Sequence, residues 1–460
     1  MTLRPLRPQA TTGQDVMEHS VPIEQARYAC AIGAMQTAAA IRRVIPITHC
    51  GPGCANKQYR GLAWTNGYQG GGWGGGGVAP STNASQREVI FGGGDRLQEL
   101  IEATLGVLEA DLFVVVTGCI PDLVGDDVGS VVRAFQKRNV PIVYAETGGF
   151  RGNNFIGHEV VTRAIIDQFV GATGVTQEPD LVNVWSLLPY QNTFWRGDLT
   201  EIKRLLEGIG LRANVLFGPP SRGIAEWRSI PRARFNLVLS PWLGLATARH
   251  LEAKFGQPFL HIPTIPIGAR QSGAFLREVG AFAGVPREDI EAFIAAEEEI
   301  YYEYLQGFAD FYAQSRSALP SKAAVVGDSA YVLALTTFLV RQLGLIPARQ
   351  IITDAPPQEH RDAILAAFRD IDPDIAVEVD FAEDGYLVHR LLRDTSFGHK
   401  PPLLFATSWE RTIARELRGA LVEVGLPATG EVVLSRSNVG YRGALALIER
   451  TYSTIMTAAS

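Results

Sequence analysis

From Val44 onward, short apolar runs repeatedly end in glycine or proline turns and give way to helix-like runs. VIPITH leads through Cys50 and the turn Gly51-Pro52-Gly53 into a run from Ala55 to Trp64 that predicts a helix. LFVVVT ends at Gly118-Cys119 and Pro121, before Gly125-Asp126-Asp127 and a predicted helix to Lys137. VPIVYA, DLVNVWSLL, LRANVLF, FNLVLSPW and PFLHIPTIPIG continue the series, and KAAVVGDSAYVLALTTFLVRQLGL, RQIITD, IAVEVDF, PPLLFATS and EVVLS extend it from Lys322. Parallel strands need a crossover, most often a helix, so this alternation predicts an α/β fold with largely parallel, doubly wound sheets.

Two stretches add detail. REVIF predicts a short strand before Gly92-Gly93-Gly94, and leucine or isoleucine at 97, 100, 101, 105 and 108 marks the buried face of the helix that follows. From Arg287 to Ser315 a long polar run predicts a helix bridging two units. A chain of 460 residues exceeds one core. The expected division is a tail over 1–20, a first α/β domain over 21–178 that holds all four cysteines, a second α/β domain with the bridging helix over 179–318, and a third with a C-terminal helix over 319–460.

A net charge of −6 gives no reason to expect nucleic acid or an anionic membrane as partner. No run approaches the roughly 20 apolar residues of a membrane span, and the polar, proline-bearing start lacks a signal-peptide core, so a cytoplasmic location is expected. In that compartment the four cysteines, Cys30, Cys50, Cys54 and Cys119, are ligands or buried thiols rather than a disulfide framework. Cys119 closes a strand where α/β sheets gather ligands, and Cys54 opens a helix whose N-terminal amides favour a thiolate. A metal is therefore expected at these corners. The glycine-rich stretch TNGYQGGGWGGGGVAPSTN, with Gly70 to Gly77, reads either as a linker or as an ordered loop near a substrate, cofactor or partner. VVGDS lacks the glycine spacing of a dinucleotide-binding turn, so no nucleotide site is expected.

Cys30, HCGPGC with Cys54, TGCIPDLVGDD with Cys119, and GFRGNNFIGH together resemble the large subunits of nitrogenase component 1 and its relatives. FNLVLSPWLGLATARHLEAKFGQPFLHIPTIPIG, AVVGDSAYVLALTTFLVRQLGLIP and NVGYRGALALIERTY carry the resemblance across nearly the whole chain. It implies the nitrogenase component 1 architecture of three Rossmann-like domains. It also implies an iron–sulfur cluster, 8Fe-7S of the P-cluster type or 4Fe-4S, gripped by Cys30, Cys54 and Cys119 and shared with a homologous α-type catalytic subunit in an α2β2 complex. The implied electron donor is a homodimeric, ATP-binding iron–sulfur reductase that docks transiently. Cys50 has no ligand counterpart.

Catalytic subunits of that family hold a metallocofactor with a later cysteine and a histidine, whereas no cysteine follows Cys119 here and His389 and His399 stand alone. The chain therefore resembles the β-type subunit, which relays electrons. Three thiols distinguish it from assembly scaffolds that keep fewer and from dark-operative pigment reductases with an aspartate in one place. YQGGGWGGGGVAPSTN departs from the serine-rich segment of nitrogenase β subunits and favours methylthio-alkane reductase, which cleaves carbon–sulfur bonds. Dinitrogen reduction and a non-catalytic assembly scaffold are the alternatives. Asp122, Asp126 and Asp127 after Cys119 either steer a basic reductase surface or serve a helix N-terminus.

Overall fold

The computed structural model describes residues 23–73, 80–171, 175–315 and 319–459. Among the described residues twelve strands form three sheets, and every strand pairing within them is parallel.

The first sheet contains β1 (Val44–His49), β2 (Leu112–Thr117) and β3 (Ile142–Ala145) in that order. Both faces are covered, which is why β1 and β2 are apolar at nearly every position rather than alternating. Val44, Val114, Val116 and Val143 face the main core, while Ile45, Ile47, Phe113, Val115 and Ile142 face a separate cluster with Leu97, Ile101, Val132 and Phe135. Pro46 is tolerated because β1 lies at the edge of this three-stranded ladder.

The second sheet has the order β5 (Arg212–Asn214), β4 (Glu178–Trp185), β6 (Ala233–Leu239), β7 (Phe259–Ile262). Asn214, Asn183 and Asn236 sit in register in this sheet and bond side chain to side chain at 2.7 and 3.0 Å, which leaves Asn236 Nδ2 as the one nitrogen of the three amides without a partner. The third sheet is ordered β10 (Glu378–Phe381), β9 (Ile346–Ile352), β8 (Lys322–Gly327), β11 (Leu403–Ala406), β12 (Ala420–Glu423), with its winding direction reversing at β8 as in Rossmann-type sheets.

The helix Arg287–Ser315 spans the predicted residues and runs from Ile290, packed at Gly280, to Phe308, whose ring lies 4.8 Å from that of Tyr452. Helix Gly440–Ala459 returns to pack on helices Gly268–Ala283 and Trp195–Gly208. Asp198 ties this return together, accepting from Ser437 Oγ and Asn438 N at 2.8 Å and from Tyr331 Oη.

Two predicted strands are something else. REVIF lies in the helix Gln86–Phe91, because Ser85 and Glu88 form a capping box and Gly92 at φ 87° ends the turn. EVVLS is irregular: Val433 N–H bonds to Gly67 O at 2.9 Å and Glu431 pairs with Arg450, so the segment is spent on contacts outside the third sheet. Among the described residues, no helix is long and apolar enough to cross a membrane.

Candidate functional site

The cysteines stand where the backbone leaves the first sheet. After β1, Gly53 turns through φ 88° and Cys54 begins helix Cys54–Thr65. After β2, Gly118 N–H bonds to His49 O at 2.8 Å, and Cys119 begins helix Cys119–Val124. Cys30 arrives from the opposite direction, bridging antiparallel to Asn153 before a short 3-10 turn over Ala31–Ala34. None of the four thiols is in a disulfide.

Gly149 joins two of them. Its N–H donates to Cys119 Sγ at 3.2 Å, and a Cβ at this position would lie 2.9 Å from Cys119 Sγ and 3.9 Å from Cys30 Sγ. Gln58, one turn into the helix that Cys54 opens, donates from Nε2 to Cys30 Sγ at 3.3 Å. Cys54 lies within electrostatic reach of the rest: burial pushes its thiol up, and Cys50, Cys30 and Cys119 push the same way. These influences oppose the thiolate that the helix N-terminus was expected to favour at Cys54.

Cys54 and Cys119 are exposed and Cys30 is half-buried, whereas Cys50 is fully buried beneath them, 3.5 Å from Ser81 Oγ. Among the described residues, no three His, Cys, Asp or Glu side chains are grouped as a cage for a single metal ion. Cys30, Cys54 and Cys119 come from separate corners, and with two N–H donors on sulfur and no Cβ at Gly149 they would suit an iron–sulfur cluster, which would supply one-electron transfer.

The acidic turn after Cys119 is mostly internal. Asp122, with 3% of its side chain exposed, accepts from Arg151 Nε at 2.7 Å and from Gly148 N at 3.1 Å. Asp126 accepts from Gly93 N at 2.8 Å and lies 2.9 Å from the buried His49 Nε2, whose ordinary pKa is lowered by burial against the opposing pull of Asp126. Asp127 is exposed and caps helix Val128–Gln136 through Ser130 N. Two of the three carboxylates are thus spent on internal contacts, which favours the structural one of the two readings of this turn. The neighbouring surface is apolar instead: helices Gln86–Phe91 and Cys119–Val124 pack together and leave Ile90, Phe91 and Leu123 70, 81 and 74% exposed.

Of the glycine-rich stretch, 74–79 lie outside the described residues. Gly72 packs on Ala39, and Arg43 covers the Trp73 ring at 5.0 Å. In VVGDS, the half-buried Asp328 caps helix Ser329–Arg341 and accepts from Asn192 Nδ2 at 2.7 Å, so a carboxylate occupies the position a phosphate takes in a nucleotide-binding turn. His389 lies 3.6 Å from Glu410, and His399 is exposed. Gln58 and Gly149 were not identified from sequence as sulfur partners. GGFRGNN beside a strand end was the available signal for Gly149.

The fold is a parallel three-sheet α/β architecture with thiols where the chain leaves the strands of the first sheet. Residues 29–456 match the family model described as "Nitrogenase component 1 type Oxidoreductase", and the chain belongs to that family of oxidoreductase subunits. It is 25% identical over 406 residues to the nitrogenase molybdenum-iron protein beta chain of Frankia alni, covering 82% of this chain and 73% of that one. It is 26% identical over 381 residues to one of the subunits of the light-independent protochlorophyllide reductase of Heliobacterium modesticaldum, covering 80% and 68%. To the nitrogenase iron-iron protein beta chain of Rhodobacter capsulatus it is 23% identical over 402 residues, covering 82% of both. The solved structure titled "Nitrogenase Cp1 at pH 6.5" superposes with a TM-score of 0.78 at 20% identity, over 96% of this chain and 94% of that one, which shows the shared fold.

Proposed function

We propose that this chain is the β-type subunit of a nitrogenase-like reductase complex, in which Cys30, Cys54 and Cys119 hold an iron–sulfur cluster shared with an α-type catalytic partner. The observation that supports this reading is that Cys30 and Cys119 both lie against Gly149, with N–H donors from Gly149 and Gln58 on the two sulfurs, Gln58 standing on the helix that Cys54 opens. The cluster would supply one-electron transfer. The chain's own residues would tune it: donors to sulfur stabilise negative charge, and the buried Cys50 layer excludes water from below. Exposure of Cys54 and Cys119 leaves room for the partner to complete the ligand set, in a proposed α2β2 assembly.

A transient homodimeric, ATP-binding reductase is the proposed electron donor, because Asp328 fills the Rossmann-like turn after β8 where a phosphate would otherwise sit. Its proposed docking surface is the apolar rim of Ile90, Phe91 and Leu123, beside the helix that Cys119 opens. For the substrate we propose methylthio-alkanes, cleaved reductively at the carbon–sulfur bond; the support is the glycine-rich stretch in place of a serine-rich one. Dinitrogen reduction is the second reading, favoured by the similarity to nitrogenase beta chains.

Co-expression with the partner, followed by iron analysis and electron paramagnetic resonance, tests the cluster. Turnover with reductase and ATP, on a methylthio-alkane and on dinitrogen in parallel, tests the substrate. An iron-free complex overturns the first reading. Iron handed to an apo-enzyme without any turnover turns it into an assembly scaffold.

A further inference from the structure

The segment before Cys30 crosses the molecule. Residues 23–30 lie as a strap on the third sheet unit: Arg27 N–H bonds to Glu383 O at 3.0 Å, Gly385 N–H to Gln25 O at 2.8 Å, and Gln25 N–H to Asp384 Oδ1 at 2.8 Å. Two residues later the strap has changed units. Ala29 N–H bonds to Asn154 Oδ1 at 2.9 Å and Asn154 N–H returns to Ala29 O at 2.8 Å, so Cys30 sits where the chain passes from the third unit to the first.

One side chain fixes the third-unit end. Arg27 lies over the Trp409 ring at 4.8 Å and places Nη2 2.7 Å from Glu410 Oε1, with 2% and 0% of the two side chains exposed. Glu410 is held in turn by Thr407, whose N–H and hydroxyl donate to Oε2 at 3.0 and 2.6 Å, and its Oε1 lies 3.6 Å from His389 Nε2. Room for the strap comes from Gly385, where a Cβ would fall 2.1 Å from Gln25 Oε1 and 2.8 Å from Arg27 Nε. A guanidinium and a carboxylate buried together keep each other in place, because either one left alone in this site is an uncompensated buried charge.

We propose that the Arg27–Glu410 pair is a positioning clasp for Cys30, pinning the strap to the third unit so that the thiol keeps its place beside Cys119. The proposal rests on the reading of Cys30 as a cluster ligand. Three residues of chain span at most about 10 Å, so release at Arg27 is felt at Cys30. Arg27 is a positioning residue and touches no sulfur itself.

The test compares Arg27→Met, Glu410→Gln and Gly385→Ala with Arg27→Lys, which keeps the charge, and with Leu335→Ala, which loosens a buried side chain of the third unit away from the strap. In the full-length, cluster-free chain, iodoacetamide labelling resolved by peptide mass spectrometry should show Cys30 reacting roughly tenfold faster or more in the first three variants. Cys54 and Cys119 should keep their rates, and Arg27→Lys and Leu335→Ala should leave Cys30 near wild type. In the assembled complex, Glu410→Gln should shift the cluster's paramagnetic resonance spectrum at unchanged iron content. Equal Cys30 rates in wild type, Glu410→Gln and Gly385→Ala overturn the clasp. Full iron retention by Cys30→Ala overturns instead the ligand role on which the proposal rests.

Discussion

Arg151 Nε stands 2.7 Å from Asp122 Oδ2, and this pair joins the helix that Cys119 opens to the loop that carries Gly149. Removing the carboxylate leaves Arg151 Nε and the Gly148 N–H without their acceptor, while Arg151 Nη2 keeps Glu146 at 2.7 Å. Asp122→Ala should therefore destabilise the chain by about 1–3 kcal/mol in thermal or denaturant unfolding. Because Asp122 is buried, Asp122→Asn should leave the salt dependence of reductase-driven turnover parallel to wild type. A changed salt slope with unchanged stability would return this turn to a docking role.

The exposed thiols separate stability from metal binding. Cys54→Ala and Cys119→Ala should alter the stability of the cluster-free chain by no more than about 0.5 kcal/mol, since neither side chain fills a core. Each of these, and Cys30→Ala, should lose or rearrange the cluster of the complex. Cys50→Ala should do the reverse, keeping iron at a packing cost of about 1 kcal/mol. Iron determination beside unfolding curves for the four variants reads both effects. Full iron in Cys54→Ala would remove it from the ligand set.

Asp328 makes stability depend on pH. Burial, with the neighbouring Asp354 adding to it, pushes its carboxyl up from 3.8 to about 7 in the folded chain. A raised carboxyl favours the protonated folded state, so no penalty exists below the unfolded value and stability falls as pH rises between the two values. Asp354 is pushed up as well, so the pair titrates together. Relative to Asp328→Asn, the wild type should lose up to about 1.4 kcal/mol per pH unit across that window and then run parallel above it. Urea unfolding of both chains over the window is the measurement, and identical slopes would mean that Asp328 is charged at no cost.

The apolar rim predicts a different kind of variant. Phe91→Ser and Leu123→Ser remove exposed apolar surface, so folding stability should stay within about 0.5 kcal/mol of wild type. Iron content should be unchanged. Turnover dependent on the reductase should weaken through a higher half-saturating reductase concentration, with little change at saturation. Titrating the reductase against each variant gives this directly, and wild-type titration curves for both would place docking elsewhere.

What could be read from the chain depended on how local the determinant was. β2 is legible residue by residue because both faces of Leu112–Thr117 are buried and glycine ends it. Helix Arg287–Ser315 is legible because no glycine or proline breaks its ends early, Gly307 being tolerated inside it. REVIF misleads because valine, isoleucine and phenylalanine favour strands, while a Ser85–Glu88 capping box decides for helix. EVVLS misleads for a longer-range reason, since its partner Gly67 lies far away in sequence. At the site, the placement of Cys54 and Cys119 at strand ends was visible in their flanking glycines. Gln58, the Arg151 cover on Asp122 and the Arg27 strap depend on contacts between remote segments, which no local pattern announces.

The strap also sets a timetable. Glu410 is synthesised long after Cys30, and at about 5–20 residues per second the interval is on the order of tens of seconds. During that interval Cys54 and Cys119 can already stand on a folded first sheet, while Cys30 still lacks its hold on the far end of the chain. With the proposed ligand set and clasp, a growing polypeptide on the ribosome would offer an incomplete set of thiols to passing iron. Only translation through the final sheet would then close the set, so the order of synthesis itself would withhold the site until the molecule is nearly whole.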